Sequence, residues 1–235
     1  MKFTVTIPTY NRYDNFLSST IDELLKYDSI ERIVLVDDDS FDYHKLVHAS
    51  KNWDRVEVYR NEKNLGCYLN KLNTYTHLKE DEWCILLDSD NMLRPEYIDA
   101  ILEEDKKTGL DKNTAYLPTA ALPDWNYDFM SGVLVTPENF NEIFVPCEPQ
   151  WNTCNFLLHS SLARNLLNTK EELFDDVLPY NRDACFINFL IAKSKGNIKF
   201  LPGMAYDHRL HNHGHNYHHE DDAGQEFFDN WDWSL

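Results

Sequence analysis

Three short apolar runs in the first half of the chain each end abruptly in a cluster of polar residues. The runs occupy positions 3–7, 32–36 and 83–87, and the polar clusters follow at positions 9–11, 37–39 and 88–90. Runs this short and this apolar are typical of buried strands. Apolar residues recur at helical spacing between them. This alternation predicts βαβ units and therefore a doubly wound, mostly parallel sheet of the α/β class.

The second half of the chain is less regular than the first. Residues 1–105 carry the alternation of strands and helices, whereas residues 106–235 hold short candidate strands, a predicted amphipathic helix over 183–192 and a histidine-rich tail from Tyr206. We find no internal repeat, no Gly/Ser-rich linker and no second domain boundary in the sequence. The sequence therefore predicts one domain over 1–235 with two halves that differ in regularity.

The charge of the chain excludes some classes of partner. Of 235 residues, 22 are basic and 40 acidic, which gives a formal net charge of −18, while 43% are hydrophobic and 14% aromatic. Such a chain can bury a sizeable core, and its surface repels nucleic acids and anionic membranes. An anionic nucleotide ligand would need a metal cation or local basic groups to offset this field.

The cysteines and the pattern of apolar residues indicate the cellular location of the protein. The five cysteines, at 67, 84, 147, 154 and 185, are scattered and form no CxxC pair. An odd and unpatterned set is typical of reduced thiols. The chain shows neither a signal-peptide pattern at its start nor an apolar run of membrane-spanning length. We therefore expect a soluble cytoplasmic protein with no integral membrane segment.

Two aspartates follow the third apolar run, separated by one serine. Asp88 and Asp90 stand at i and i+2, so in an extended chain their carboxylates point the same way. Open α/β sheets bind ligands outside the carboxyl ends of their strands, and hard oxygen ligands at that place suit Mg²⁺ or Mn²⁺. An acidic turn without a metal is the alternative. Polar clusters after the other two runs would converge on the same crevice.

Four stretches, taken together in this order and spacing, resemble the family 2 glycosyltransferases, which have the GT-A fold. They are Thr-Ile-Pro-Thr-Tyr-Asn-Arg at 6–12, Val-Leu-Val-Asp-Asp-Asp-Ser at 34–40, Asn-Leu-Gly at 64–66 with Asn70, and Leu-Leu-Asp-Ser-Asp-Asn at 86–91. The resemblance thins after residue 105 and returns at Asn181-Arg182-Asp183-Ala184 and the following helix. Arg182 stands where the family usually has Glu. The resemblance implies that 1–105 form the nucleotide-sugar-binding half and 106–235 the acceptor-binding and catalytic half.

The resemblance assigns the ends of the first two strands to the nucleobase of the donor. Thr9 and Tyr10 would lie against the base. Asp38 or Asp39 would accept a hydrogen bond from the ring N–H, and we favour Asp39. The run of three consecutive aspartates leaves the choice between Asp38 and Asp39 open. At least one of the three is expected to be only a solvated turn residue.

The resemblance also assigns residues to the uridine, the phosphates and the metal. Asn64 would line the uridine pocket, and Gly66, which we expect to adopt a positive φ, would allow close approach of the backbone. Lys71 is a candidate for binding the phosphates. Asp88 would contact the ribose, or the metal through water, and Asp90 would bind Mn²⁺ or Mg²⁺ directly.

The tail offers a further metal ligand. The resemblance to GT-A enzymes with a metal-binding histidine near the C-terminus implies His208, with His211 as second choice. The other tail histidines have two interpretations: a separate zinc site, for which His-x-His spacing is weak support, or a solvated polar tail.

Catalytic and acceptor residues come from the second half. Asp183 would be the base of an inverting transfer, although an aspartate at this place is also a common helix N-cap. Trp125 and Trp151 are candidates for an acceptor wall or a lid, and their alternative is packing in the core.

The sequence thus predicts a metal-dependent, inverting glycosyltransferase that moves a sugar from a nucleotide sugar, in the first place a UDP-sugar, to a hydroxyl of a glycan or other acceptor. A sugar-nucleotide nucleotidyltransferase is the first alternative. Such enzymes usually carry a glycine-rich phosphate loop after the first strand, whereas residues 8–12 contain no glycine. A non-catalytic carbohydrate-binding protein on the same fold is the second alternative.

Overall fold

The structure is a computed structural model that describes residues 1–145, 148–153, 155–169, 183–209 and 232–235. Several residues singled out from the sequence lie outside the described ones: Cys147, Cys154, Asn181, Arg182 and the tail histidines from His211 onward. The role of His211 as an alternative metal ligand therefore stays a prediction.

The first half alternates strands and helices as the sequence predicts. Its elements are β1 (Phe3–Thr9), α1 (Ser18–Leu24), β2 (Ile30–Asp37), α2 (Tyr43–Ser50), β3 (Val56–Arg60), α3 (Cys67–Thr74), β4 (Trp83–Leu86), β5 (Met92–Leu93) and α4 (Pro95–Thr108). A π-helical turn at Tyr13–Leu17 leads into α1. Pro95 stands in the first turn of α4, where its missing N–H costs no hydrogen bond.

The second half contains five strands, from two to eleven residues long, and three α-helices among the described residues. Its elements are β6 (Thr114–Leu122), β7 (Trp125–Asn126), β8 (Leu134–Val135), α5 (Phe140–Ile143), β9 (Leu157–His159), α6 (Ser160–Thr169), α7 (Asp183–Lys193) and β10 (Asn197–Asp207). The last strand, β10, has eleven residues. It continues because its second part pairs with β6 again after a shift in register.

One sheet joins the two halves, in the strand order β3-β2-β1-β4-β9-β6-β10-β5. The first four of these strands are parallel, as are β6 and β10, whereas β9 runs antiparallel between β4 and β6. Two reversals restore the direction, so β1, β2, β4, β6 and β10 all end at the same side of the sheet. We call this side the carboxyl edge. The predicted α/β class and mostly parallel sheet are confirmed.

The first strand extends beyond the apolar run at 3–7 and ends at Thr9. Its neighbour β4 pairs with β1 only as far as Thr6, whereas β2 continues to pair with it beyond that point. Because β4 does not pair with β1 at Pro8, the missing N–H of Pro8 costs no hydrogen bond on that side of the strand. The longer strand brings Thr9 level with Asp37 at the carboxyl edge.

The first helical segment has no local side-chain cap at its start. Arg12 occupies the cap position and makes no side-chain cap bond. The backbone N–H of Tyr13 donates instead to Asp42 Oδ2 at 3.3 Å, and Asp14 pairs with Lys45. Asp42, at the start of α2, thus accepts the hydrogen bond that a local cap residue would otherwise accept.

The helix α7 is buried on all sides rather than amphipathic, which corrects the prediction for 183–192. Every residue from Ala184 to Ala192 is buried. The helix packs against α3, α6 and β10, and Trp233 near the C-terminus covers it, with ring centroids 5.0 Å from Phe186 and 5.3 Å from Phe189. Among the described residues, no helix combines the length and apolarity needed to cross a bilayer.

Candidate active site

Three carboxylates and one buried lysine meet at the carboxyl edge. Asp88 and Asp90 follow β4, and Asp183 is the first residue of α7. Lys71, on α3, places its Nζ 2.7 Å from Asp88 Oδ1 and 2.5 Å from Asp183 Oδ2. Lys71, which the sequence assigned to the phosphates, thus contacts both Asp88, assigned to the ribose or the metal, and Asp183, assigned as the catalytic base.

Asp88 is held by the asparagine that precedes β9. Its backbone N–H donates to Asn155 Oδ1 at 2.7 Å, and Asn155 Nδ2 donates to Asp88 Oδ2 at 3.3 Å. Burial raises the pKa of Asp88, the charges of Asp90 and Asp183 act in the same direction, and Lys71 opposes them. The sequence offered no signal for Asn155, because only the packing of β9 beside β4 brings it here.

Two guanidinium groups flank Asp90. Arg12 Nη2 lies 3.9 Å from Asp90 Oδ2, and Arg209 Nε donates to the Asp90 carbonyl oxygen at 2.5 Å. Arg209 Nη2 also donates to the Asn91 carbonyl at 3.1 Å, and its guanidinium stacks 5.1 Å from the Phe16 ring. Our sequence reasoning missed both arginines, although Arg12 lies in a recognised motif and Arg209 follows the predicted ligand His208.

Asp38 holds the loop before α3. Its buried carboxylate accepts hydrogen bonds from Leu65 N at 2.8 Å, Gly66 N at 2.9 Å and Asn61 Nδ2 at 2.7 Å. Burial raises the pKa of Asp38, and these hydrogen bonds lower it. Gly66 has a φ of 81°, as expected, and its N–H also lies 3.0 Å from Asn64 Oδ1. The loop before α3 is therefore bound to the residue that follows β2.

The residues predicted to face the nucleobase lie at or beside the turns that follow β1 and β2. Thr9 is buried at the end of β1, and Tyr10 beyond it is 42% exposed. Asn11 and Asp39 have φ values of 54° and 65°, in the left-handed region that Asn and Asp adopt more readily than other non-glycine residues. Arg60 Nη2 binds Asp39 Oδ1 at 2.6 Å. Which aspartate reads the base stays a prediction.

The donor set fits a divalent cation that comes with a phosphorylated ligand. Carboxylates suit Mg²⁺ and Mn²⁺, and Mg²⁺ in particular is commonly held by one or two of them together with substrate phosphates and water. Asp88 and Asp90 would supply such oxygens. Within the described residues, no group of three His, Cys, Asp or Glu side chains is placed to hold a metal. His208 Nδ1 lies 3.1 Å from Asp124 Oδ2, so its role as a ligand stays a prediction.

The two tryptophans proposed for the acceptor have different surroundings. Trp125 is 43% exposed on β7, which pairs with the end of β6 at the carboxyl edge. Trp151 is fully buried, with ring centroids 5.0 Å from Phe144 and 5.5 Å from Phe200. The acceptor assignment of Trp151 is therefore corrected: it packs in the core because aromatic neighbours enclose it on β10 and after α5.

Family membership follows from the first three fifths of the chain. The family described as Glycosyl transferase family 2 matches residues 4–144, which is more than half of the sequence. The chain belongs to this family. The match runs from β1 through α5 and includes Asp38, Lys71, Asp88 and Asp90 of the site. No curated protein sequence matches the chain.

Solved structures share the fold of this family 2 chain. S. aureus TarS 1–349 in complex with UDP-GlcNAc superposes with a TM-score of 0.68 at 19% identity, over 93% of this chain and 61% of that one. S. aureus TarS superposes at 0.64 and 18% identity over 90% and 37%. GalNAc-T7 with UDP, GalNAc and Mn²⁺ superposes at 0.63 and 19% identity over 89% and 43%. The chain thus has the GT-A fold and spans under two thirds of these proteins' lengths.

Proposed function

We propose that this family 2 glycosyltransferase moves a sugar from a UDP-sugar to an acceptor hydroxyl with inversion at the anomeric carbon. Membership of the family supports sugar transfer. The UDP-GlcNAc bound to TarS and the UDP bound to GalNAc-T7 support a uridine nucleotide as the donor. The observation that carries the proposal is the meeting of Asp88 and Asp183 at Lys71 on the carboxyl edge, with Asp90 near enough for its charge to act on Asp88.

Asp183 is the base in this proposal. As the acceptor oxygen attacks the anomeric carbon from the face opposite the diphosphate, the hydroxyl proton passes to an oxygen of Asp183. The bond between the anomeric carbon and the phosphate oxygen breaks at the same time, and its electron pair leaves with UDP. Asp183 projects from a fully buried helix, so its carboxylate has a well-defined position for this task.

The leaving diphosphate needs positive charge beside it. Asp90 would hold Mg²⁺ or Mn²⁺ directly, and Asp88 would hold it through water or bind the ribose. Such a cation, when bound, neutralises charge that develops on the diphosphate. Arg12 and Arg209, on either side of Asp90, provide fixed positive charge in the same region. The Mn²⁺ in the GalNAc-T7 structure supports this part of the proposal.

The base of the donor would lie against Tyr10 at the ends of β1 and β2. Its ring N–H would find a carboxylate in Asp39 or Asp38. Trp125, exposed on β7 beside the end of β6, would form a wall for the acceptor and help to exclude water from the reacting carbon.

Binding and turnover measurements test the proposal. We expect calorimetry to show UDP binding that strengthens with Mn²⁺, and a panel of UDP-sugars to include one from which the protein releases UDP. Asp183→Asn should retain UDP binding and lose turnover by about 10²- to 10⁴-fold, while Asp105→Asn, on the exposed side of α4, should match the wild type in both. Release of pyrophosphate instead of UDP would identify a nucleotidyltransferase. Absence of both binding and turnover would refute the proposal.

A further inference from the structure

Lys71 joins two carboxylates that come from distant parts of the chain. Its ammonium nitrogen contacts Asp88 in the loop after β4 and Asp183 at the start of α7, at 2.7 and 2.5 Å. The lysine side chain is only 9% exposed. Burial of an unpaired ammonium group is unfavourable in free energy, so the two carboxylates stabilise the lysine in this buried position.

The place of Lys71 is determined by the end of β2. Its neighbour on α3, Asn70, donates from Nδ2 to the Val36 carbonyl at 3.2 Å and accepts from Asn61 Nδ2 at 3.0 Å. The same Asn61 nitrogen donates to Asp38 at 2.7 Å. This buried, hydrogen-bonded network holds α3 against the strand that carries the predicted base-reading residues. The ammonium group is therefore supported by a rigid frame.

The two carboxylates would repel each other without the lysine. Because both oxygens touch one nitrogen atom, they lie within about 5 Å of each other, a separation at which two negative charges repel each other. Asp90 adds a third negative charge, and Arg12 and Arg209 lie beside Asp90. The contact that Asp183 makes within the described residues is thus to Lys71, which separates it from Asp88.

We propose that Lys71 is a positioning residue that fixes the catalytic base Asp183 next to the donor-binding Asp88, rather than a residue that grips the phosphates of the donor. This inference rests on the proposed function. By holding one carboxylate with each of two N–H groups, Lys71 sets the distance between the donor end of the site and the base. The acceptor hydroxyl then meets a carboxylate held in a fixed position, and orienting the reacting groups in this way lowers the barrier to transfer.

Kinetics of Lys71→Met and Lys71→Arg in the full chain test this role. In Lys71→Met, we expect kcat for transfer to fall by about 10²-fold, while the donor KM and the affinity for UDP change by less than about threefold. Lys71→Arg should recover part of kcat, since a guanidinium can also bridge two carboxylates. Lys112→Met removes a solvent-exposed partner of Asp81 at the opposite edge of the sheet and should leave kcat and KM unchanged.

A double-mutant cycle separates action through Asp183 from other roles. If Lys71 works by positioning Asp183, Lys71→Met should cost little further activity in an Asp183→Asn background. A loss of UDP affinity of tenfold or more with unchanged kcat would assign Lys71 to donor binding and overturn the inference. Equal transfer rates for wild type, Lys71→Arg and Lys71→Met would also overturn it. If Lys71→Met does not fold, the kcat-to-KM split and the cycle are measured with Lys71→Arg, which keeps the charge but alters the spacing.

The proposed function fails in a different way. A wild-type protein that releases UDP from none of the donors overturns both proposals. A wild-type protein that transfers sugar, with variants that do not follow the expected pattern, overturns only the role of Lys71.

Discussion

Arg209 Nε donates a hydrogen bond to the main-chain carbonyl of Asp90 at 2.5 Å, across 119 positions of sequence. The contact joins the segment after β10 to the turn after β4. Since His208 precedes Arg209, the same contact sets where the predicted histidine ligand stands relative to the aspartates. The arrangement of the candidate metal site therefore depends on an arginine that is not itself a ligand.

Replacement of Arg209 should loosen this turn. Arg209→Met removes charged hydrogen bonds to the carbonyls of Asp90 and Asn91, and we expect the free energy of unfolding to fall by about 2–3 kcal/mol. UDP affinity in Mn²⁺ should fall as well, because Asp90 loses its support. Chemical denaturation and calorimetry measure the two effects, and Arg164→Met on the exposed face of α6 serves as the control. Wild-type affinity for UDP in Arg209→Met would contradict the role of the turn.

Replacement of Asp90 should separate nucleotide binding from stability. Asp90→Asn keeps the size of the side chain and removes the charge that would attract a divalent cation. We expect UDP affinity measured with Mn²⁺ to fall by at least about tenfold, with little change in affinity measured in EDTA. Loss of the ion pair with Arg12 should change the melting temperature little, because its charged atoms are 3.9 Å apart and such a pair is weak. An equal loss with and without Mn²⁺ would argue against metal binding at Asp90.

Truncation of Trp151 should affect folding rather than the acceptor. Trp151→Ala opens a cavity among Phe140, Phe144 and Phe200, and we expect it to lower the free energy of unfolding by about 3–5 kcal/mol. Trp125→Ala, at an exposed tryptophan, should leave stability nearly unchanged and raise the KM for the acceptor. Thermal unfolding of both variants decides the first point. Similar melting temperatures for the two would show that Trp151 is not a core residue.

His159 should make stability depend on pH. Burial lowers the pKa of its ring, Lys112 adds to this effect, and Asp81, whose Oδ1 lies 3.3 Å from Nε2, opposes it. Between the lowered folded value and the ordinary value of 6.5, the unfolded chain binds more protons than the folded protein. Stability is therefore fully present above pH 6.5 and is lost as the pH falls through this window.

Thermal unfolding from about pH 5 to 7.5 measures this contribution. We expect the melting temperature of the wild type to fall more steeply below pH 6.5 than that of His159→Gln, which cannot titrate. His44→Gln, on the exposed face of α2, controls for the loss of a surface histidine. Parallel curves for the wild type and His159→Gln would contradict the prediction.

The sequence by itself determined the parts of this protein that depend on local pattern. Apolar runs with polar ends predicted β1, β2 and β4, and the i, i+2 spacing of Asp88 and Asp90 placed both after one strand. The motif resemblance in residues 6–91 predicted the family, and the match to residues 4–144 confirmed it. Gly66 was expected to need a positive φ, and it has one. Each of these features follows from a few consecutive residues or from a regular spacing.

Only the tertiary structure decided which distant side chains meet. Nothing near Lys71 in sequence indicates that it contacts Asp183, because that contact requires α7 to pack against α3. Burial of Trp151 and the support of Asp88 by Asn155 likewise depend on strands that pair out of sequence order. Side-chain partners across a sheet are selected by packing and by the need to pair buried charge, and both are properties of the whole fold.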